Sequence, residues 1–171
     1  MGMIVISAIG KKNRVIGTDK GLPWSIPEEY QHFLDKTRGH PVIMGKTTYQ
    51  MLTEGHGKDY ETIPDSKMFV VSRSLIEKGE KVWRGAEVCH SIEEAMGKAE
   101  ELDDIYFCAG GASIYKEVLE KGLAEALYIS EVYGDYEGTA YFPEIDKTVW
   151  KEKKREKNDI WDFVIYKKDS D

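Results

Sequence analysis

Short, mostly apolar runs of β type recur along the chain, at residues 3–9, 41–44, 68–72, 104–108 and 126–132. Helical patterns alternate with them, at 27–37, 46–53, 92–101 and 112–121. A strand that is apolar at every position has both faces buried, and helices between such strands supply the cover. The pattern therefore predicts an α/β fold with a mostly parallel sheet flanked by helices. The end differs. Residues 148–157 and 160–168 read as two strands around Lys157-Asn158-Asp159, an antiparallel C-terminal hairpin. The Lys/Glu run 151–157 mixes its signs, as a solvated edge strand does. No linker or repeat divides residues 1–171, so we expect one domain.

The net charge is −7, which disfavours nucleic acid and anionic membrane as partners. An anionic ligand must then be met by local cations. Cys89 and Cys108 make neither a disulfide framework nor a zinc spacing, which fits a reducing compartment such as the cytoplasm. The opening MGMIVISAIG lacks a basic flank and a cleavage site, and reads as a buried strand. No apolar stretch approaches the 18 or so residues of a membrane span.

Gly45-Lys46-Thr47-Thr48 has the tail of a phosphate-binding P-loop, but His40 stands where the first glycine is required. The strand Val42-Ile43-Met44 also occupies the place of the loop. What remains is a lysine and free N–H groups at a helix start, which suit phosphate. Arg73 follows the strand that ends at Val71-Ser72. Gly110-Gly111 separate the strand ending at Cys108-Ala109 from a helix near Ala112. Such a pair permits close approach of a phosphate or a flat ring, and equally serves a tight turn. There is no G-x-G-x-x-G and no G-x-S-x-G. Lys46 and Arg73, if both end parallel strands, lie on the side of the sheet where ligands bind.

Residues 13–24 form a long loop punctuated by Gly17, Gly21 and Pro23, of the kind that acts as a lid. Ser25-Ile26-Pro27-Glu28 fits a capping box at a helix start. Ile26, Tyr30, Phe33 and Leu34 share one face of that helix. Glu28 points away from it. Glu29, three after Ile26 and four before Phe33, flanks it. Two readings stay open for Glu29: a surface glutamate at the rim of the core, or a proton donor whose pKa burial has raised. His32, His40, His56 and His90 show no metal spacing, and no metal is expected. Tyr115 reads as a core aromatic.

These segments together resemble dihydrofolate reductase over nearly the whole chain. The matching pieces, in order, are Val15-Ile16-Gly17, Leu22-Pro23-Trp24, Ile26-Pro27-x-Glu29, Pro41 to Thr48, Ala109 to Tyr115, and Glu137-Gly138-x-x-Tyr141-Phe142-Pro143. The resemblance implies an eight-stranded sheet and an NADPH-dependent reduction of dihydrofolate, feeding tetrahydrofolate to one-carbon metabolism. A hydride goes to C6 of the pterin and a proton to N5. Glu29 would favour that protonation, with Trp24 ordering a water, Ser130 supporting the carboxylate, and Leu22 in the mobile loop. Tyr115 is counted with this catalytic group. Ile6 and Ala109 would offer carbonyls to the pterin, and Tyr30 and Phe33 would pack on it. Ala8, Ile16 and Gly17 would meet the nicotinamide. Gly45, Lys46, Thr47, Thr48, Ser72, Arg73, Gly110, Gly111, Ala112, Ser113 and Ile114 would hold the rest of the cofactor. We expect a monomer.

The sequence departs from the family pattern at two places. Pro64-Asp65-Ser66-Lys67 replaces P-G-R, so Ser66 stands where an arginine clamps the glutamate tail of the substrate. Lys67, one residue on, should point to the other face of the strand. Thr139-Ala140 replaces Asp-Thr, and that aspartate helps hold the lid closed in the family. The loop Gly10 to Arg14 is also one residue longer, and the hairpin shorter. Ser66 turns attention to a related reductase of the riboflavin pathway that acts on a phosphorylated pyrimidine. Glu29, Trp24 and the Leu-Pro-Trp loop point back to the pterin. A non-catalytic nucleotide-binding protein would have no use for a carboxylate on the core face, and a P-loop phosphotransferase fails on spacing.

Overall fold

The computed structural model describes residues 2–54 and 60–169. In chain order the elements are β1 (Met3–Gly10), β2 (Val15–Gly17), α1 (Pro27–Thr37), β3 (Val42–Gly45), α2 (Lys46–Thr53), β4 (Met68–Val71), α3 (Arg73–Glu77), β5 (Val82–Trp83), β6 (Ala86–Cys89), α4 (Ile92–Glu100), β7 (Tyr106–Cys108), α5 (Ala112–Glu120), β8 (Ala124–Val132), β9 (Ala140–Tyr141), β10 (Trp150–Lys157) and β11 (Trp161–Lys168). One sheet of nine strands runs in the order β10-β11-β8-β1-β7-β3-β4-β6-β5. From β8 through β6 neighbouring strands are all parallel. The hairpin β10–β11 joins β8 antiparallel.

The strand count exceeds the expected eight because Val82-Trp83 pairs with β6 as a two-residue edge strand. A pair of residues is too short to leave a periodic signal. β2 and β9 form a separate two-stranded ribbon for the same reason.

Alternation along the strands divides the apolar residues between two faces. Met3, Val5, Ile9, Ile43 and Phe69 pack with α4 and α5. Ile4, Ile6, Val42, Met44 and Val70 pack with residues of α1, α2 and α3. Both faces of the central strands are thus covered, which explains runs that are apolar at every position.

The helix α1 corrects one expectation. Its N-cap is Ile26, with φ −129° and ψ 93°, and no side chain caps it. Ser25 is exposed and stands one residue too early. Proline forces the residue before it out of the helical region, so Pro27 opens the helix and Ile26, not Ser25, becomes the cap.

On the outer part of the sheet, Asp162 is 1 % exposed. Burial alone would raise its carboxyl, but hydrogen bonds from Tyr133 and Arg155 and the charge of Lys11 hold it below the usual range. Arg155 also bonds Glu131 at 2.6 Å and Glu152 at 2.7 Å. This cluster ties the hairpin to β8 and to the loop that leads into β2.

Candidate active site

Strand β7 stops pairing with β1 at Val5↔Cys108, while β8 follows β1 to Gly10↔Val132. Beyond Val5 the chain after β7 turns away through Gly110, at φ +103°, and a cis Gly110-Gly111 bond. A crevice opens there, at the carboxyl ends of parallel strands, where β1 has neighbours on both sides. The next carbonyl of β1, Ile6 O, accepts a hydrogen bond from Tyr115 Oη at 2.7 Å. Burial first, and the nearby Cys108 and Glu29, push the Tyr115 phenol up. It stays neutral and braces the crevice.

Cross-strand register lines up the floor. Ala8, Ser130 and Phe163 lie opposite one another on β1, β8 and β11; Ile6, Tyr128 and Ile165 form the next row. Helix α1 covers this face and brings Glu29 down on Ser130. Glu29 is 7 % exposed. Ser130 Oγ donates to its Oε2 at 3.2 Å. Burial raises the carboxyl and the serine bond offsets only part of this, so the net direction is up. Glu28, its neighbour, is exposed.

The remaining residues expected at the pterin lie on α1, on the loop before it and at the end of β7. Trp24 is buried, and its Nε1 has no partner among the described residues. Its ring meets Tyr136 edge-on at 5.3 Å. Tyr30 and Phe33 stack at 6.1 Å on α1, with Tyr30 half-exposed at the rim. Ala109 follows β7 and donates its N–H to Ile43 O. Leu22 is exposed, on the loop between β2 and α1. Its reach to the site is not seen in this conformation.

The two glycine motifs meet. Gly45 N–H donates to Gly110 O at 2.8 Å. A Cβ on Gly111 would lie 2.8 Å from Thr48 Oγ1, and one on Gly45 would lie 3.2 Å from Ile114. These backbones approach closely because neither glycine carries a side chain. Register sets Gly45 level with Val71, and Val71 level with Cys89. Lys46 and Arg73 therefore open helices at one end of the sheet, as do Ala112 and its neighbours. Neither cation has a carboxylate within ion-pair distance among the described residues. Lys46 Nζ lies 5.7 Å from the Trp83 ring, and Arg73 is exposed. Thr47 and Ser113 are exposed beside them. The Ser72 hydroxyl caps α3 through Leu75 N at 3.3 Å, so its side chain is already committed. Ala8 stands on β1. Ile16 and Gly17 stand on β2, held to β9 by Thr139 N–H to Gly17 O at 2.9 Å. The Thr139 side chain makes no hydrogen bond among the described residues.

His90, after β6, joins the same end of the sheet and was missed. The rule that pointed to Arg73 would have found it, had the short strand β6 been read. It pairs with Glu94 at 3.0 Å. His40 pairs with Asp103 at 2.9 Å, and His56 lies outside the described residues. Ser66 Oγ donates to Thr37 O at 3.0 Å, and Lys67 pairs with Glu87 at 3.4 Å. Neither is free for a substrate carboxylate. A surface groove of about 560 Å³ between α5 and residues 141–150 touches the expected site only at Ala112 and Ser113.

The family model for dihydrofolate reductase matches residues 3–167. The dihydrofolate reductase HdrB of Haloferax volcanii is 32 % identical over 170 residues, covering 96 % of this chain and 82 % of that protein. The dihydrofolate reductase of Neisseria gonorrhoeae is 36 % identical over 152 residues, covering 89 % and 86 %. Among solved structures, Enterococcus faecalis dihydrofolate reductase, complexed with NADP(H) and RAB-propyl, superposes with a TM-score of 0.80 at 24 % identity, covering 98 % of this chain and 96 % of that one. That likeness speaks for the fold; the extent of the family match and the identity to the curated relatives carry the assignment, and by both this chain belongs to the dihydrofolate reductase family.

Proposed function

We propose that this chain reduces 7,8-dihydrofolate to 5,6,7,8-tetrahydrofolate with NADPH, and that Glu29 is the group through which N5 gains its proton. The observation that carries this reading is a carboxylate buried below α1 and held, among the described residues, only by the Ser130 hydroxyl. Its raised pKa keeps a proton available at a pH where an exposed glutamate has lost it. Trp24 Nε1, a buried donor without an acceptor among the described residues, suits a water between carboxylate and ring. Ile6 O keeps one lone pair after accepting from Tyr115 and can take a pterin amino group. The family match and the Glu29–Ser130 pair favour a pterin over the phosphorylated pyrimidine.

The residues present fit the cofactor. A Cβ on Gly45, Gly110 or Gly111 would run into Ile114, Tyr115 or Thr48, so these glycines bring the two turns together, and the helices that follow them present N–H groups that suit phosphate. Lys46 and Arg73 supply positive charge without carboxylate partners among the described residues, in a chain whose net charge is −7. When bound, NADPH supplies the hydride. Ala8, Ile16 and Gly17 would orient the nicotinamide, and Lys46, Thr48, Arg73 and residues 110–114 would hold the phosphates. Lys46→Ala and Arg73→Ala should each raise the KM for NADPH about tenfold and leave that for NADH unchanged. Equal effects on both cofactors would assign these cations to general charge instead of the extra phosphate.

The tail of the substrate gives a second test. Ser66 and Lys67 are both occupied within the protein. Ser66→Arg should restore a bidentate clamp worth roughly 1.5–3 kcal/mol, lowering the KM for dihydrofolate by about tenfold or more. Dihydropteroate, which lacks the tail, should show no change. A parallel drop for both substrates would rule out a tail clamp at this position.

A further inference from the structure

A second titratable group stands behind Glu29, and the reaction as described does not use it. His32 follows Glu29 by three positions on α1, so the two side chains are neighbours on the helix surface. Its ring meets Phe163 edge-on at 4.3 Å and Trp161 at 5.2 Å. Phe163 is the cross-strand partner of Ser130 on one side and of Glu156 on the other. The row Ala8, Ser130, Phe163, Glu156 therefore runs from the crevice to the solvent edge of the sheet. Glu29 stands over its second member and His32 over its third.

The two ring nitrogens face different surroundings. Nε2 is buried and has no partner among the described residues. The ring is only half-buried, and Nδ1, which makes no hydrogen bond, is the nitrogen open to solvent. The charged groups around it are Lys36 and Asp35 on α1 and Glu156 on β10; β11 contributes only the rings of Trp161 and Phe163. Burial first, then Lys36, lower its pKa, against Glu156 and Asp35. The imidazole is thus neutral near pH 7, the state that can accept at one nitrogen and donate at the other.

We propose that His32 recharges Glu29 from the solvent edge of the sheet, accepting a proton at Nδ1 and releasing one from Nε2. This rests on the reading of Glu29 as the proton donor. Trp161, whose ring lies 5.2 Å from that of His32, also has a buried Nε1 without a partner among the described residues, and a water held there would carry the proton towards the carboxylate. The step balances. An N–H bond forms at Nδ1 with a proton from surface water, the Nε2–H bond breaks, and the Glu29 carboxylate becomes the acid. No electrons are exchanged, and the starting tautomer returns when the ring swings out to surface water, which takes the Nδ1 proton and supplies one at Nε2. His32 touches no reacting atom and acts only through Glu29, as a positioning residue for its proton.

The test separates recharging from chemistry. His32→Phe keeps a ring in the slot beside Trp161 and Phe163. Single-turnover hydride transfer, started with Glu29 already protonated, should stay within about twofold of the parent. Steady-state kcat should fall about tenfold above about pH 8, moving its alkaline limb to lower pH. His32→Ala should show the same loss, and added imidazoles should restore kcat in the order of their pKa values. A parallel fall in both rates, an unchanged kcat profile, or a rescue that ignores the pKa of the added base would each overturn the proposal. Glu29→Gln runs beside them. If it keeps its single-turnover rate at pH 7, the reading of Glu29 fails; if it loses that rate while His32→Phe keeps the parent profile, only the relay fails.

Discussion

Glu29→Gln should bind NADPH as the parent does and lose about a hundredfold to ten-thousandfold of its turnover near pH 7. The amide keeps the shape and can still meet Ser130, so the cleft should remain formed. What it lacks is a proton to give. Part of the rate should return in acid, where the substrate arrives already protonated. Turnover at pH 7 equal to the parent's would remove Glu29 from the mechanism. Stability should move the other way. Burial raises the folded-state pKa above the ordinary value of 4.5, so the protonated form favours folding. That contribution is complete below the unfolded pKa and is lost as pH rises through the folded one. The glutamine variant should therefore melt higher than the parent at pH 7 and no higher below about pH 4. A melting point that fails to rise at neutral pH would show that the carboxylate is better solvated than its burial indicates.

Gly138→Ala should damage β2 and the fold together. A Cβ at this position would overlap the Gly17 carbonyl oxygen and lie 2.5 Å from Val15 Cγ2. The obstacle is backbone, which cannot rotate aside. The Gly17 carbonyl also accepts the Thr139 N–H that joins β9 to β2. Overpacking of this kind costs about 1–3 kcal/mol, and the lost hydrogen bond about 1 kcal/mol more. For a chain of this size we expect the melting point to fall by roughly 3–10 °C. Because Ile16 and Gly17 sit on the displaced strand, the KM for NADPH should rise about tenfold as well. Parent values for both would mean that β2 can be seated without this close approach. Thr139 stands where the family pattern has an aspartate. In this chain the contact between the two loops runs through backbone groups and a glycine, with no side-chain carboxylate at position 139.

What could be read from the sequence depended on length and burial. β1, β3, β4, β7 and β8 announced themselves because each is apolar on both faces. β5, α3 and the β2–β9 ribbon span two to five residues and carry no period. β6, Ala86-Glu87-Val88-Cys89, is interrupted by a glutamate that pairs with Lys98 at 2.5 Å. Glu29 was legible from its spacing, since helix geometry alone sets it beside Ile26 and Phe33. Its partner Ser130 is 101 residues away and was reachable only through family resemblance. His32 passed as a histidine without metal spacing, because what distinguishes it is the pair of β11 rings it meets. Ser25 misled because a capping box is a local pattern, and the proline inside it moved the helix start by one residue.

The central position of β1 also bears on how the molecule is made. Met3 pairs with Tyr106 on one side and Ala124 on the other. A growing chain must therefore carry eight mostly apolar residues without either strand neighbour until most of it has been synthesised. At roughly 5–20 residues per second this delay lasts several seconds or more. Parallel pairing across such separations is slow and leaves sticky surface in view meanwhile. The floor under Glu29 needs β8, and the row through Ser130 is finished only when Phe163 arrives. Neither cofactor nor substrate can help to fold the nascent chain through this site, and chaperones have the whole of that interval in which to act.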